Sequence, residues 1–161
     1  MQKIFITGIT GQDGIFLSSN LIKNKNIKIY GSSRKNDNTS FYKKLSTLGN
    51  DNFNDITISK LNLLNFEEVD RFIKDVKPDI IYNLSGPSSV VKSIYDNGKT
   101  HSEIISIFEN LVNSIKQNSI NPSIFQASSS EMFKNNLTGI FNENSELMGS
   151  TPYAKSKISN H

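Results

Sequence analysis

The feature that most constrains the fold of this chain is a regular alternation between short apolar runs and longer stretches with helical spacing. Short runs of β-branched and aliphatic residues are typical of buried strands, whereas apolar residues three and four positions apart indicate helices. The strands are predicted at Lys3–Thr7, Ile27–Ser32, Ile56–Lys60, Ile80–Leu84 and Ser123–Ala127. The helices are predicted at Ile15–Lys23, Phe66–Val76, Glu103–Lys116 and Thr151–His161. The polar stretch Arg34–Asn54 lacks a clear period, so we expect a long loop with one helical turn at most.

This order of elements predicts the fold class. Strands that alternate with helices form parallel sheets with helices on both faces. We therefore expect an α/β fold with a doubly wound, Rossmann-type parallel sheet in the strand order 3-2-1-4-5. The 161 residues suffice for one domain with a sizeable core. Because no sixth strand follows the last helix, we expect residues 1–161 to be one domain of a longer chain that is truncated at its C-terminal side.

Composition and charge exclude several classes of protein. Lys and Arg number 18 against 15 Asp and Glu, and the resulting charge of +3 is spread along the chain, so neither nucleic acid nor a membrane surface is an expected partner. The absence of Cys excludes disulfides, thiolate metal sites and cysteine nucleophiles, and no metal site is predicted. No apolar stretch approaches the roughly 20 residues that span a bilayer. We expect a cytoplasmic protein.

A glycine-rich turn lies between the first predicted strand and the first predicted helix. It has the sequence TGITGQDG over Thr7–Gly14, with a glycine at every third position. Glycines let the backbone turn sharply and approach a pyrophosphate, whose charge then meets a helix N-terminus. The alternative is a turn needed only for close packing of the helix on the strand. The candidate cofactor contacts in this segment are Gly8, Thr10, Gly11, Gln12, Asp13 and Gly14.

The end of the second predicted strand indicates which dinucleotide this turn would bind. An acidic residue about 20 positions after the glycines accepts hydrogen bonds from the adenosine ribose of NAD. Here the sequence SSRK over 32–35 supplies only donors, and the Arg34 guanidinium suits a ribose 2′-phosphate. We therefore predict that residues 1–161 form an NADP-binding domain, the alternative being a solvated basic loop.

Two further segments carry groups suited to acid–base chemistry. Tyr153 and Lys157 lie four residues apart and would share one face of the last helix. A nearby ammonium stabilises a phenolate and lowers the pKa of the phenol, which makes it usable as a general acid or base. At the carboxyl end of the fifth strand, the Ser129 hydroxyl could orient a substrate hydroxyl and Glu131 could remove a proton.

Taken together, these motifs resemble the extended short-chain dehydrogenase/reductase family of nucleotide-sugar enzymes, and within it the GDP-mannose 4,6-dehydratase branch. The segments that carry the resemblance are TGITGQDG at Thr7–Gly14, IYNLSGPSSV at Ile81–Val90, QASSSE at Gln126–Glu131 and TPYAKSK at Thr151–Lys157. The resemblance implies a catalytic set of Ser129, Glu131, Tyr153 and Lys157. It adds cofactor contacts at Asn62, Leu63, Leu84, Ser85 and Gly86, together with Tyr153 and Lys157.

The chain also departs from the family pattern in three places. Soon after the glutamate the family often has Tyr-Gly, whereas here Glu131 is followed by Met132 and Phe133. The loop after the fourth strand has Pro87-Ser88-Ser89 where the family usually has Gln-Ser-His. The third predicted helix has Ile107 and Phe108 where the family usually has a glycine. These changes could alter the choice of substrate.

The resemblance implies a lyase that converts GDP-mannose to GDP-4-keto-6-deoxy-mannose through transient oxidation of C4 by NADP. The expected partners are a nucleotide sugar and, in the full-length enzyme, further copies of the same chain. Two alternatives stay open. The first is another NAD(P)-dependent nucleotide-sugar enzyme, an epimerase, a reductase or a decarboxylase. The second is an inactive, non-catalytic nucleotide-binding remnant.

Overall fold

A computed structural model describes residues 1–133 and 140–161 of the chain. Its strands are β1 (Gln2–Thr7), β2 (Ile27–Ser33), β3 (Ile56–Lys60), β4 (Ile80–Asn83) and β5 (Ser123–Gln126). Its helices are α1 (Gln12–Leu21), α2 (Thr39–Thr47), α3 (Phe66–Val76), α4 (Val90–Tyr95), α5 (Lys99–Gln117) and α6 (Pro152–Ser159). A single 3₁₀ turn over Ser130–Met132 follows β5.

The strands form one parallel sheet in the order β3-β2-β1-β4-β5. In the register of the sheet, Phe5 of β1 lies between Tyr30 of β2 and Ile81 of β4. The predicted doubly wound α/β fold and its strand order are therefore confirmed. Because the order reverses between β1 and β4, the carboxyl ends of these two strands flank the crevice in which open α/β sheets bind ligands.

Alternating side chains of β1 supply the two halves of the core. Ile4 and Ile6 point to one face of the sheet and pack with the buried Phe41 and Leu45 of α2. Phe5 points to the opposite face, where it packs with buried residues of α3 and α5 such as Val69. Since successive residues of a strand face opposite sides, one apolar run serves both layers.

Two helices in the structure were not predicted from the sequence. The segment Arg34–Asn54, predicted to be a loop, contains the nine-residue helix α2, of which only Phe41 and Leu45 are fully buried. Two buried apolar positions among polar neighbours give a helical period that is too weak to predict a helix. The six-residue α4 is too short for a period, and it begins where the Ser89 hydroxyl accepts a hydrogen bond from Lys92 N at 3.1 Å.

Helix α5 begins earlier than its apolar period indicates. It begins at Lys99 rather than at Glu103. Asp96 accepts a hydrogen bond from Thr100 N at 3.0 Å, so a carboxylate satisfies a free amide of the first turn. None of the helices in the described ranges has both the length and the apolar character needed to cross a bilayer.

Candidate functional site

The glycine turn after β1 is pressed between the ends of two neighbouring strands. Gly8 has a φ of +64°, and its N–H donates to Ser32 Oγ, 3.3 Å away at the end of β2. A Cβ at this position would lie 3.0 Å from Ser85 Oγ in the loop after β4. A side chain here would therefore be strained by the backbone angle and crowded by the neighbouring loop. Gly11 closes the turn by donating to Gly8 O at 2.9 Å.

Gly14 has a different reason to be a glycine. It lies in the first turn of α1, and a Cβ there would lie 2.5 Å from the carbonyl oxygen of Ile9. The absence of a side chain lets α1 approach the turn closely, which positions the helix N-terminus toward the crevice. The packing explanation considered for the glycine turn therefore applies at Gly14.

A cavity of about 570 Å³ opens beside this turn, at the carboxyl ends of β1, β2 and β4. Nine of the predicted cofactor contacts line it, namely Gly8, Thr10, Gly11, Arg34, Asn62, Leu63, Leu84, Ser85 and Gly86. The remaining predicted contacts Gln12, Asp13, Gly14, Tyr153 and Lys157 are not among the residues that line it. The structure thus brings together most of the segments that the sequence singled out, although they come from four separate loops.

Sequence reasoning did not place several residues that also line this cavity. They include Lys92 of α4 and Glu103 and Ile107 of α5. Of these three, only Ile107 had a signal in the sequence, because it stands in the helix where the family usually has a glycine. Lys92 and Glu103 lie on α4 and α5, the two helices that follow β4 in the chain.

The end of β2 presents Arg34 to the cavity. Ser32 and Ser33 are buried, and their hydroxyls accept hydrogen bonds from Gly8 N and Lys35 N. Arg34 is exposed and lines the cavity, so its guanidinium has access to a bound anion. The arrangement offers a cation, rather than a carboxylate, at the position where the sheet would meet an adenosine ribose.

Tyr153 and Lys157 form a buried pair on α6. They are 8% and 7% exposed, and Lys157 Nζ lies 5.7 Å from the centroid of the Tyr153 ring. Lys157 Nζ donates to the carbonyl oxygen of Ala127, 2.9 Å away and directly after β5. Burial lowers the pKa of Lys157 below 10.5. The four-residue spacing therefore places both groups on the helix face that meets the sheet.

Three contacts fix the position of α6. Thr151 Oγ1 accepts from Ala154 N at 3.1 Å and caps the helix, and Pro152 occupies its first turn as predicted. Tyr153 N donates to Ser93 Oγ of α4 at 3.3 Å. Near its other end, Asn160 Nδ2 donates to Ile104 O of α5 at 3.1 Å.

Glu131 lies in the 3₁₀ turn next to α6, and Ser129 immediately precedes and caps that turn. The Ser129 hydroxyl is half-buried and accepts from Glu131 N at 3.2 Å, while the Glu131 side chain is exposed. Met132 O accepts from Gly149 N at 3.0 Å, and a Cβ at Gly149 would lie 2.4 Å from Glu131 O and from the Ala154 side chain. Close packing at Gly149, which sequence reasoning missed, holds the turn against the start of α6.

These observations define an α/β protein that has a glycine-turn cavity and a buried Tyr–Lys pair at the same edge of a parallel sheet. The chain belongs to the GDP-mannose 4,6-dehydratase family, whose profile matches residues 5–161. The resemblance to the extended short-chain dehydrogenase/reductase family is thereby confirmed.

Curated relatives support the same family at low identity. The chain is 29% identical over 164 aligned positions to GDP-mannose 4,6 dehydratase 2 of Arabidopsis thaliana, an alignment that covers 97% of this chain and 43% of that protein. It is 32% identical to Protein CapI of Staphylococcus aureus over 134 positions, covering 80% of this chain and 38% of that protein. The chain thus spans less than half the length of these relatives.

Solved structures share the fold. The UDP-Glc/GlcNAc 4-epimerase of Campylobacter jejuni superposes with a TM-score of 0.86 at 19% identity, covering 99% of this chain and 47% of that one. The UDP-glucuronic acid 4-epimerase of Bacillus cereus, solved with UDP-glucuronic acid and NAD, gives a TM-score of 0.80 at 21% identity, covering 99% and 50%. At these identities the likeness shows the fold alone.

Proposed function

We propose that this chain is the NADP-binding domain of a cytoplasmic nucleotide-sugar 4,6-dehydratase, a lyase that converts GDP-mannose to GDP-4-keto-6-deoxy-mannose. The observation that carries the proposal is the buried Tyr153–Lys157 pair, anchored to the Ala127 carbonyl that follows β5, at the same edge of the sheet as the glycine-turn cavity. A phenol next to an ammonium at the ligand-binding edge of a parallel sheet is suited to proton exchange with a bound substrate hydroxyl.

The residues of the crevice fit a phosphorylated dinucleotide. Gly8 leaves a space that a Cβ would fill, which lets backbone N–H groups approach a pyrophosphate at the N-terminus of α1. Arg34 would hold the ribose 2′-phosphate, and Asn62 and Leu63, which also line the cavity, would contact the adenine. Lys157 would hold the nicotinamide ribose. A bound cofactor would supply the hydride chemistry, as the acceptor for C4 of the sugar and the donor for C6.

The four catalytic side chains orient the substrate and move its protons. Ser129 donates a hydrogen bond that orients the sugar 4-hydroxyl. Tyr153 takes the proton of that hydroxyl as C4 becomes a ketone, and Lys157 stabilises the phenolate that accepts it. The new carbonyl makes the C5 proton acidic, and Glu131 removes it. The exposed carboxylate becomes a stronger base when bound substrate excludes water from it.

The protons of this cycle balance on the protein's own groups. Glu131 passes the C5 proton to the departing C6 hydroxyl, which leaves as water. Tyr153 returns to C5 the proton that it took from the 4-hydroxyl. A 4-epimerase needs no base for C5, so Glu131 favours the dehydratase over an epimerase.

The reaction is tested with the protein expressed from its complete reading frame, incubated with GDP-mannose and NADP⁺. We expect the wild type to form the 4-keto-6-deoxy product. Glu131→Gln keeps the shape but not the basicity of the side chain, so we expect hydride transfer to the cofactor without release of water. Absorbance of the reduced cofactor and mass spectrometry of the sugar distinguish the two steps.

Glu109→Gln provides the matched control, because Glu109 is an exposed residue of α5 that does not line the cavity. This variant should form product like the wild type. Unchanged product formation by Glu131→Gln would eliminate Glu131 as the base. A wild type that yields only the 4-epimer would overturn the dehydratase proposal.

A further inference from the structure

A chain of hydrogen bonds runs across the carboxyl ends of β1, β4 and β5 and ends at Lys157. Thr7 Oγ1 lies 2.7 Å from Asn83 Oδ1, and Asn83 Nδ2 lies 2.7 Å from Gln126 Oε1. Gln126 Nε2 in turn lies 3.3 Å from the carbonyl oxygen of Ala127, the same oxygen that accepts the hydrogen bond of Lys157. Thr7 and Asn83 are 0% and 1% exposed, so most of this chain is shielded from water.

The direction of every hydrogen bond in this chain is determined at its first member. Thr7 Oγ1 accepts from the backbone N–H groups of Leu84 and Ser85, both at 3.0 Å. Its own hydrogen therefore points to Asn83 Oδ1, because both of its acceptor positions are taken. The Asn83 amide must then present Nδ2 to Gln126 Oε1, which leaves Gln126 Nε2 facing the Ala127 carbonyl. A reversed Gln126 amide would place two donors together and two acceptors together.

The Ala127 carbonyl needs such support because it lies beyond the regular sheet. The paired register of β4 and β5 ends at Asn83 and Gln126, and the N–H of Ala127 donates to Asn83 O at 3.2 Å. The carbonyl oxygen, in contrast, is held by side-chain donors. A lysine has a flexible four-carbon stem and is placed only as well as the acceptor that anchors its ammonium.

We propose that Gln126 is a positioning residue, which orients the Ala127 carbonyl so that this carbonyl anchors the Lys157 ammonium beside Tyr153. Its meaning for catalysis rests on the proposed function, whereas the anchoring itself requires neither cofactor nor substrate. The loop that contributes Leu84 and Ser85 also lines the cavity. The same hydrogen bonds thus connect the wall of the cavity with the lysine of α6.

The test follows the side-chain resonances of Lys157 by NMR in this chain, with isotope-labelled lysine and isoleucine. Gln126→Met removes both hydrogen bonds and should displace the Lys157 ¹³Cε–¹Hε signal at every pH. Gln126→Glu provides a matched rescue. Its protonated carboxyl accepts from Asn83 and donates to Ala127, as the amide does, so at acidic pH the Lys157 signal should coincide with that of the wild type. As the new carboxyl ionises, the donor is lost and the signal should move.

Gln2→Glu is the control, because it makes the same chemical change on an exposed residue at the opposite end of the sheet. It should leave the Lys157 signal in place at every pH. The proposal is overturned if Gln126→Met leaves the Lys157 signal unmoved. It is also overturned if the methyl signals of Ile4 and Ile6 in the core move as much as that of Lys157, since Gln126 would then have a general structural role.

The outcome is independent of the proposed function. A chain that shows the predicted Lys157 displacements but fails to bind NADPH would retain the positioning role and lose the cofactor. A chain that binds NADPH, but whose Lys157 signal does not respond to substitution of Gln126, would retain the cofactor and lose the positioning role.

Discussion

At the scale of single residues, the site depends on two kinds of position. One kind is the glycines of the turn, which have no side chain, and the other is the buried Tyr153–Lys157 pair, which includes a charged ammonium. The glycines and the Tyr–Lys pair could be predicted because each motif is local in sequence. Hydrogen bonds between strand ends could not be predicted. Thr7 and Asn83 are 76 residues apart in the sequence, and Asn83 and Gln126 are 43 residues apart, so no local pattern predicts these hydrogen bonds. What the three residues share is seen in the structure, where Thr7, Asn83 and Gln126 are the last residues of β1, β4 and β5.

Gly8 should be required both for stability and for cofactor binding. We expect Gly8→Ala to lower the free energy of unfolding by about 1–2 kcal/mol, since the residue has positive φ, and to weaken NADPH binding because the new Cβ fills the turn. Gly49→Ala is the control, since Gly49 has a φ of +78° with nothing within 4 Å of its Cβ position. It should lose only the stability that the backbone angle costs, without the crowding, and keep its affinity. Urea unfolding and NADPH titration measure the two effects, and equal affinity in both variants would contradict the account.

The buried ammonium of Lys157 should make stability depend on pH at the alkaline end. Burial lowers its pKa in the folded protein below the 10.5 of the unfolded chain, so the folded state binds fewer protons between these values. The burial cost is fully present below the folded pKa and is relieved as pH rises toward 10.5. The free energy of unfolding of the wild type, measured in urea, should therefore rise with pH relative to that of Lys157→Met.

Lys155→Met provides the comparison on the same helix, because Lys155 is exposed. Its stability difference from the wild type should stay constant over this pH range. A constant difference for Lys157→Met as well would show that its pKa is not lowered in the folded protein.

At the scale of elements, the strands and the helices α3 and α6 followed from the sequence, whereas α2 did not. Strands of a parallel sheet are buried on both faces and appear as continuous apolar runs. Helix α3 has a full apolar stripe that ends at Val76, and its predicted bounds agree with the structure. Helix α2 buries only Phe41 and Leu45 fully, with Tyr42 packed partly buried against the same core, so its stability comes from tertiary packing rather than from its own pattern.

Two leucines at the end of α2 should therefore differ in their contribution. Leu45 is 0% exposed, whereas Leu48 is 40% exposed. We expect Leu45→Ala to lower the free energy of unfolding by about 2–5 kcal/mol, because it leaves a cavity against the sheet. Leu48→Ala should cost less than about 1 kcal/mol. Equal losses in urea unfolding would show that α2 does not pack on the sheet as described.

At the scale of the whole molecule, the predicted site residues, which are far apart in the sequence, lie together at one edge of the sheet. The cavity draws on the loops after β1, β2, β3 and β4, and α6 brings Tyr153 and Lys157 to the end of β5. The parallel fold causes this convergence, because all strand ends of one kind meet at one edge. The fold could be predicted for that reason, but the lining residues of α4 and α5 depend on how those helices cross the sheet.

The central claim is that this edge binds a phosphorylated dinucleotide, and a fluorescence titration of the chain with NADPH and NADH tests it most directly. We expect tighter binding of NADPH, with Arg34→Ala losing about tenfold or more of that affinity while NADH binding stays unchanged. Lys35→Ala, the adjacent exposed cation that does not line the cavity, should behave like the wild type. Equal affinity for the two cofactors, or a preference for NADH, would contradict the account.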